Sequence, residues 1–206
     1  MDTTETQDGP TPESSDGLSN THVSQTSRRW FYFLPLAVLA VLVVLFAVGL
    51  GHDPRILPSE LINRPLPEFS LDALPDRGKP LTSEDVKGDV TLINIFGSWC
   101  VACLQEHPVL RAISQEGFVK IHGVDWREKN PRDGLAWLRK HGDPYDRVGL
   151  DPDSKLAIDL GVTGAPETFV VDAQGIVRYK YIGPITPQAW TEKLKPLIAD
   201  LRKGTP

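Results

Sequence analysis

Cysteine is scarce in this chain: 206 residues hold two, at 100 and 103. Two thiols cannot staple a small secreted scaffold, so a disulfide framework is excluded and the fold must rest on a buried apolar core. Basic excess is missing as well. The formal net charge is −5, with five acids and two arginines before residue 30 and 22 acids against 20 bases after it. That balance speaks against nucleic-acid binding, which favours a basic domain. No internal repeat is present. Charge is absent altogether from Trp30 to Leu50, a run of 21 residues in which Pro35 is the one helix breaker.

At about 1.5 Å rise per residue, such a run matches a hydrocarbon core of roughly 30 Å, which predicts a transmembrane helix over 30–50. A cleaved signal peptide is the competing reading. The run exceeds the roughly 7–15 apolar residues of such peptides, and the stretch Ala47–His52 offers small residues without an Ala-x-Ala site, so an uncleaved anchor is favoured. Ser27-Arg28-Arg29-Trp30-Phe31 has only a superficial twin-arginine look. Arg28 and Arg29 precede the run, while Arg55 and Arg64 follow it. The slight positive-inside bias predicts a cytoplasmic N-terminus and an exported C-terminal domain.

Residues 1–29, rich in Thr, Ser, Asp and Gly without apolar periodicity, read as a disordered tail. Residues 51–67, with prolines at 54, 58, 65 and 67, read as a linker. From 68 to 206, strand and helix signals alternate. Strands are predicted at 90–96, 119–125, 168–171 and 176–182, the last two joined by the turn Asp172-Ala173-Gln174-Gly175. Helices are predicted from Cys100 to about Ser114 with a kink at Pro108, over 133–140 with Asp133 as N-cap, over 153–160 stopped by Gly161, and over 186–201. This order predicts an α/β domain: a sheet flanked by helices, parallel at first and closed by an antiparallel hairpin.

The chemistry is carried by Trp99-Cys100-Val101-Ala102-Cys103, directly after a buried strand and opening a helix. At a helix N-terminus, free N–H groups and the macrodipole favour an anion. The first thiol is thus expected below its ordinary value of about 8.5, and the three-residue step puts Cys103 one turn further on the same face. Cys100 would attack a substrate disulfide and Cys103 would resolve the mixed disulfide. An inert structural pair closing so small a ring would add little stability. A zinc site would need two more ligands, and His107, His122 and His141 lack paired spacing; no metal is expected.

Two further features accompany the pair. Glu106 lies three residues after Cys103 on the same helix face, where a partly buried carboxyl could exchange protons with the resolving thiol; a solvated helix charge is the alternative. In Gly164-Ala165-Pro166-Glu167-Thr168, Pro166 is a candidate cis proline, an ordinary trans loop proline being equally compatible with the spacing.

The segment Leu92–Cys103 followed by Glu106-His107-Pro108 resembles the thioredoxin fold, and more narrowly the CcmG/DsbE family of bacterial cytochrome c maturation. Gly161–Phe169, Gly142-Asp143-Pro144-Tyr145 and Arg64–Phe69 agree with that family's other landmarks, so the resemblance covers roughly residues 60–200. It implies a thioredoxin-like fold, a central mixed β-sheet flanked by helices, preceded by one N-terminal transmembrane helix. It implies a redox-active Cys100–Cys103 disulfide without a further cofactor, Trp99 packed beside it, Pro166 cis against it, and Glu106 and Glu167 as acids near the site, Glu167 alternatively serving partner recognition at the loop surface.

The implied role is reduction of the haem-binding cysteines of apocytochrome c, directly or through a partner thiol protein, on the periplasmic face of the inner membrane. Recharging would come from a membrane electron donor of the DsbD or CcdA kind, since an exported compartment has no glutathione pool. A general extracytoplasmic thioredoxin of the TlpA or ResA kind and a non-catalytic thioredoxin-like binding module are the alternatives. Three departures from the pattern are visible: Asn94 where thioredoxins carry a buried acid, Leu104 where the family often has Arg, and Phe96 in place of Trp.

Overall fold

A computed structural model describes residues 30–49 and 61–204, with side chains of the first segment described over 33–47. The expected tail, residue 50 and most of the expected linker lie outside the described residues. The chain divides into two units, 1–52 and 53–206. In the first, the uncharged run forms helix α1, Trp30–Gly49, which continues through Pro35 with exposed apolar side chains. Among the described residues no helix is long and apolar enough to cross a membrane.

The second unit is a five-stranded sheet with helices on both faces. Its strands are β3 (Thr91–Phe96), β4 (Lys120–Trp126), β5 (Arg147–Asp151), β6 (Glu167–Val171) and β7 (Val177–Ile182), in spatial order β5-β4-β3-β6-β7. β3 pairs parallel with β4 and β4 with β5, whereas β6 and β7 close the other side antiparallel. The mixed sheet is the predicted one, with β5 added. β5 escaped the sequence reading because it is short, bounded by Arg147 and Asp151, and carries Gly149 at its centre. That glycine has a packing reason: a Cβ there would come within 2.6 Å of Leu71 Cβ. The two-residue strands β1 (Ser70–Leu71) and β2 (Leu81–Thr82), too short to show alternation, lie against it.

β3 is buried along its whole length, as a central strand of a two-faced sheet must be. Its alternating side chains feed two cores. Leu92 and Phe96 point to the face that holds Cys103, Leu110 and Ile113, and Ile93 and Ile95 to the face that holds Val124, Leu156 and Phe169. Ordered packing starts before the predicted boundary. Pro65 bridges to Ile176, Asn63 N–H donates to Val177 O, and Leu66 N–H donates to Gly175 O. Residues 63–66 thus belong to the domain rather than to a linker, because the β6–β7 turn offers them backbone partners.

Helix boundaries differ from expectation in instructive ways. α2 spans Val101–Glu116, running through Pro108, with Cys100 as its N-cap rather than its first residue. α3 spans Pro131–His141 and is capped by Asn130, whose side chain accepts from Arg132 N–H; Asp133 sits in the first turn instead, because Pro131 is preorganised for the first helical position. α4 is shorter than predicted, Lys155–Asp159, its free N–H groups at Leu156 and Ala157 satisfied by the Asp151 carboxylate. The final helix is not one piece: α5 (Pro187–Ala189), a π-helical turn (Trp190–Leu194) and α6 (Lys195–Lys203) follow each other. Pro196 lacks the N–H that would close the preceding turn, and the widened turn accommodates it.

Candidate active site

The two sulfurs meet where β3 ends and α2 begins. Cys100 and Cys103 form a disulfide with Cα atoms 5.3 Å apart. Cys100 Sγ also accepts a hydrogen bond from Cys103 N–H at 3.0 Å, the capping contact that a serine or aspartate makes at other helix starts. In the reduced protein the same donor faces a thiolate, which lowers the cost of ionising Cys100. Both cysteines are buried, while Trp99, Val101 and Leu104 around them are exposed and give the site an apolar rim. Trp99 lies against Trp126, ring centroids 5.8 Å apart, and its indole N–H donates to Trp126 O at 3.0 Å.

One turn beyond Cys103, Glu106 is 1 % exposed. Its Oε1 accepts from Asn94 Nδ2 at 2.8 Å and its Oε2 from Ile185 N–H at 2.9 Å. Among the described residues no cation pairs with it. Burial pushes its carboxyl up to about 7, against the smaller opposing pull of those two donors. Asn94 is held in turn: its Nδ2 also donates to Thr168 Oγ1 at 3.0 Å, and its Oδ1 accepts from the Tyr145 hydroxyl at 2.7 Å. Tyr145 stacks on Phe96 with centroids 4.8 Å apart. The amide at position 94 therefore orients the acid instead of replacing it.

The distant loop arrives through β6. The Ala165–Pro166 peptide bond is cis, as the resemblance implies, and Pro166 is buried, its carbonyl accepting from Gly183 N–H at 2.9 Å. Glu167 follows on the opposite face of the sheet. It is 0 % exposed and ion-paired to buried Lys180 at 2.9 Å, with Thr163 N–H, the Thr163 hydroxyl and Gly164 N–H all donating to its other oxygen.

Comparison with known proteins now bears on this geometry. The Redoxin family model matches residues 62–195. The thiol:disulfide interchange protein DsbE of Allochromatium vinosum is 45 % identical over 173 residues, covering 84 % of this chain and 95 % of that protein. That of Pseudomonas aeruginosa is 39 % identical over 174 residues, covering 84 % and 96 %. The chain belongs to the DsbE family. It is a thiol:disulfide oxidoreductase with a thioredoxin-like fold. Among solved structures, a putative DsbE from Chlorobium tepidum superposes with a TM-score of 0.57 at 24 % identity, covering 66 % of this chain and 94 % of that one. A secreted thiol-disulfide isomerase from Corynebacterium glutamicum superposes at 0.60 and 22 %, covering 72 % and 96 %. At these identities the two structures show the shared fold.

Within this DsbE-family domain, one reading of Glu167 is corrected. A role in partner recognition at the loop surface is incompatible with complete burial against Lys180; the side chain pins the 161–164 loop from inside. Sequence reasoning gave Tyr145 no role, although the Pro144-Tyr145 pair was visible, because its contact with Asn94 spans 51 residues. It also passed over Asp125 and Glu128, which flank Trp126 at the end of β4. Glu128 Oε2 accepts from Ser98 N–H at 3.0 Å, directly before the Trp99-Cys100 step.

Proposed function

We propose that this protein is an exported, membrane-anchored reductant that delivers electrons to the haem-attachment cysteines of apocytochrome c, directly or through a partner thiol protein. Cys100 thiolate attacks the substrate disulfide: a Cys100–substrate bond forms, the substrate S–S bond breaks, and the departing sulfur takes up a proton. Cys103 then gives its proton to the Glu106 carboxylate and attacks Cys100 Sγ. The second substrate thiol leaves reduced and the Cys100–Cys103 disulfide closes. Two electrons pass from protein to substrate, and no cofactor takes part. A membrane carrier of the DsbD or CcdA kind would restore the dithiol. The α1 helix, with its uncharged 20-residue run, would hold the domain at the inner membrane, facing the periplasm.

The observation that carries this reading is Glu106: a carboxyl buried one turn from the resolving cysteine and held by two uncharged donors, so that burial pushes it up to about 7 where a proton acceptor is required. The client is supported by the DsbE name of the relatives and by the Gly161–Phe169 signature. Pro166 would border the bound substrate strand. Trapping tests the reading. Cys103→Ala should freeze Cys100 in mixed disulfides whose partners, by mass spectrometry, include an apocytochrome c or a haem-ligation thiol protein. Recovery no higher than from a Cys100→Ala control would defeat dithiol exchange. Normal covalent haem in a deletion strain would redirect the function to a general extracytoplasmic thioredoxin.

A further inference from the structure

Asp125 is fully buried, and neither of its oxygens receives an N–H or O–H from any described residue. Such an arrangement is costly for a carboxylate, since unpaired buried charge is strongly disfavoured. Among the described residues no group donates to it. Its register neighbours, Phe96 on β3 and Leu150 on β5, are apolar. On the α3 side it meets Gly134, where a Cβ would lie 2.0 Å from Asp125 Oδ2. What does face it is another acid, Glu128, itself 7 % exposed. Two carboxyl groups that face each other away from any cation repel when both are charged, and a proton on one of them removes that repulsion. Glu128 in turn accepts from Ser98 N–H, so the chain of contacts runs from β4 to the residues that present Cys100.

We infer that Asp125 and Glu128 form a proton-sharing carboxyl pair that positions the Ser98–Trp99 segment in front of Cys100, making Glu128 a positioning residue of the disulfide site. Asp125 carries the proton and donates it to Glu128, which stays an acceptor for Ser98. Burial first, then the neighbouring charge of Glu128, pushes the Asp125 carboxyl up to about 8. Above that pH the proton leaves to solvent, two like charges abut, and Glu128 is driven off Ser98. Other charged groups border the pair without touching the buried oxygens: Arg127, Lys129 and Asp133 line the groove outside Ser98 and Trp99, and the Tyr145 hydroxyl lies within the fields of both Asp125 and Glu106.

The inference rests on Cys100 and Cys103 being the reactive pair, so its first test reads the oxidised protein, in which neither cysteine titrates. In the full chain kept in mild detergent, the Ser98 amide proton shift is followed by NMR from pH 5 to 9.5. The expected result is an inflection near pH 8 that survives Glu106→Gln and vanishes in Asp125→Asn. A flat profile between 6.5 and 9.5, or the same inflection in Asp125→Asn, would overturn the pair. Should Asp125→Asn fail to fold, the Asp125 carboxyl carbon in the unsubstituted protein decides, a midpoint near 8 supporting the pair and one near 4 excluding it. The second test is kinetic. Glu128→Ala should lower kcat/KM for disulfide reduction about tenfold, and Glu128→Gln, which keeps an acceptor for Ser98, should recover it to within about threefold. An alanine variant at the original rate would remove Glu128 from the positioning role.

Discussion

The two faces of the central sheet each bury a glutamate, and they treat it in opposite ways. On the α2 face, Glu106 is held by two uncharged donors and has no countercharge among the described residues. Asp125, on the same face by register with Phe96, has no donor among the described residues. On the other face, Glu167 meets Lys180 and three further donors. The burial is the same to within 1 %, so depth does not decide what a buried acid is for. Compensation does: a carboxyl given a cation works as a structural pin, while one left with dipoles alone is pushed up toward neutrality by burial and can exchange its proton.

Removing the compensation should break the difference most visibly. Lys180→Met leaves Glu167 buried without its cation, and the expected cost is about 3–5 kcal/mol in urea unfolding, the range for breaking a buried pair from one side. A loss below about 1 kcal/mol at pH 8 would mean that the Thr163 and Gly164 donors alone satisfy Glu167, and the contrast between the faces would fail. On the α2 face the corresponding change touches rate. Glu106→Gln keeps the shape and removes the proton acceptor, so reduction of a disulfide substrate at pH 7 should slow about a hundredfold, the lower end of what general-base help supplies. An unchanged rate would return Glu106 to the status of a packed side chain.

How much of this contrast was legible in sequence depends on range. Cys-x-x-Cys after a β-branched run is a local pattern, and the closeness of its two sulfurs follows from spacing of three, whereas the capping role of Cys100 shows only in its contact with Cys103 N–H. Glu106 was legible as a helix-face neighbour of Cys103, but its upward shift comes from burial that only the folded chain supplies, with Ile185, 79 residues away, donating to it and opposing that shift. The alternative that put Glu167 at a loop surface failed because the residue follows a proline in a loop-like stretch, yet β6 begins there and turns its side chain inward. β5 was missed because its pairing with β4 and its fit against Leu71, not its own composition, make it a strand. Asp125 gave no local signal, since an acid at a strand end ordinarily reads as solvated.

The α2-face acids should also mark the pH dependence of stability. In the folded protein burial raises the Glu106 and Asp125 carboxyls above the ordinary carboxylate range, to about 7 and about 8. In such a window the folded state binds more protons than the unfolded one. Their contribution is therefore complete below the unfolded values and is lost as pH rises through the folded ones. His107 and His122, lowered mainly by burial, act in the opposite sense, but only up to about 6.5. Between pH 6.5 and 8 the acids act without that opposition, and unfolding free energy should fall by about 2 kcal/mol, most of it from Asp125. Asp125→Asn should flatten the slope. A stability that rises across this window would contradict uncompensated acids on the α2 face.

The smallest effect probes how the α2 face orders its acid without a cation. The Tyr145 hydroxyl fixes Asn94 Oδ1, which turns Nδ2 toward Glu106. Tyr145→Phe keeps the ring stacked on Phe96 and removes only the O–H donor. The amide oxygen then lacks its partner inside the core, at an expected cost of about 1–2 kcal/mol. With its outer tether gone, Asn94 can rotate and offer Glu106 a less aligned donor. Losing part of that opposing hydrogen bond lets burial act more fully, so the midpoint of Glu106 should move upward from about 7, read by carboxyl carbon NMR. The direction is what discriminates. An upward shift means that Asn94 and Tyr145 hold the acid close to neutrality; a downward shift means that water enters the gap and solvates it, in which case the dry packing of the tyrosine ring, not its hydroxyl, keeps this face uncompensated.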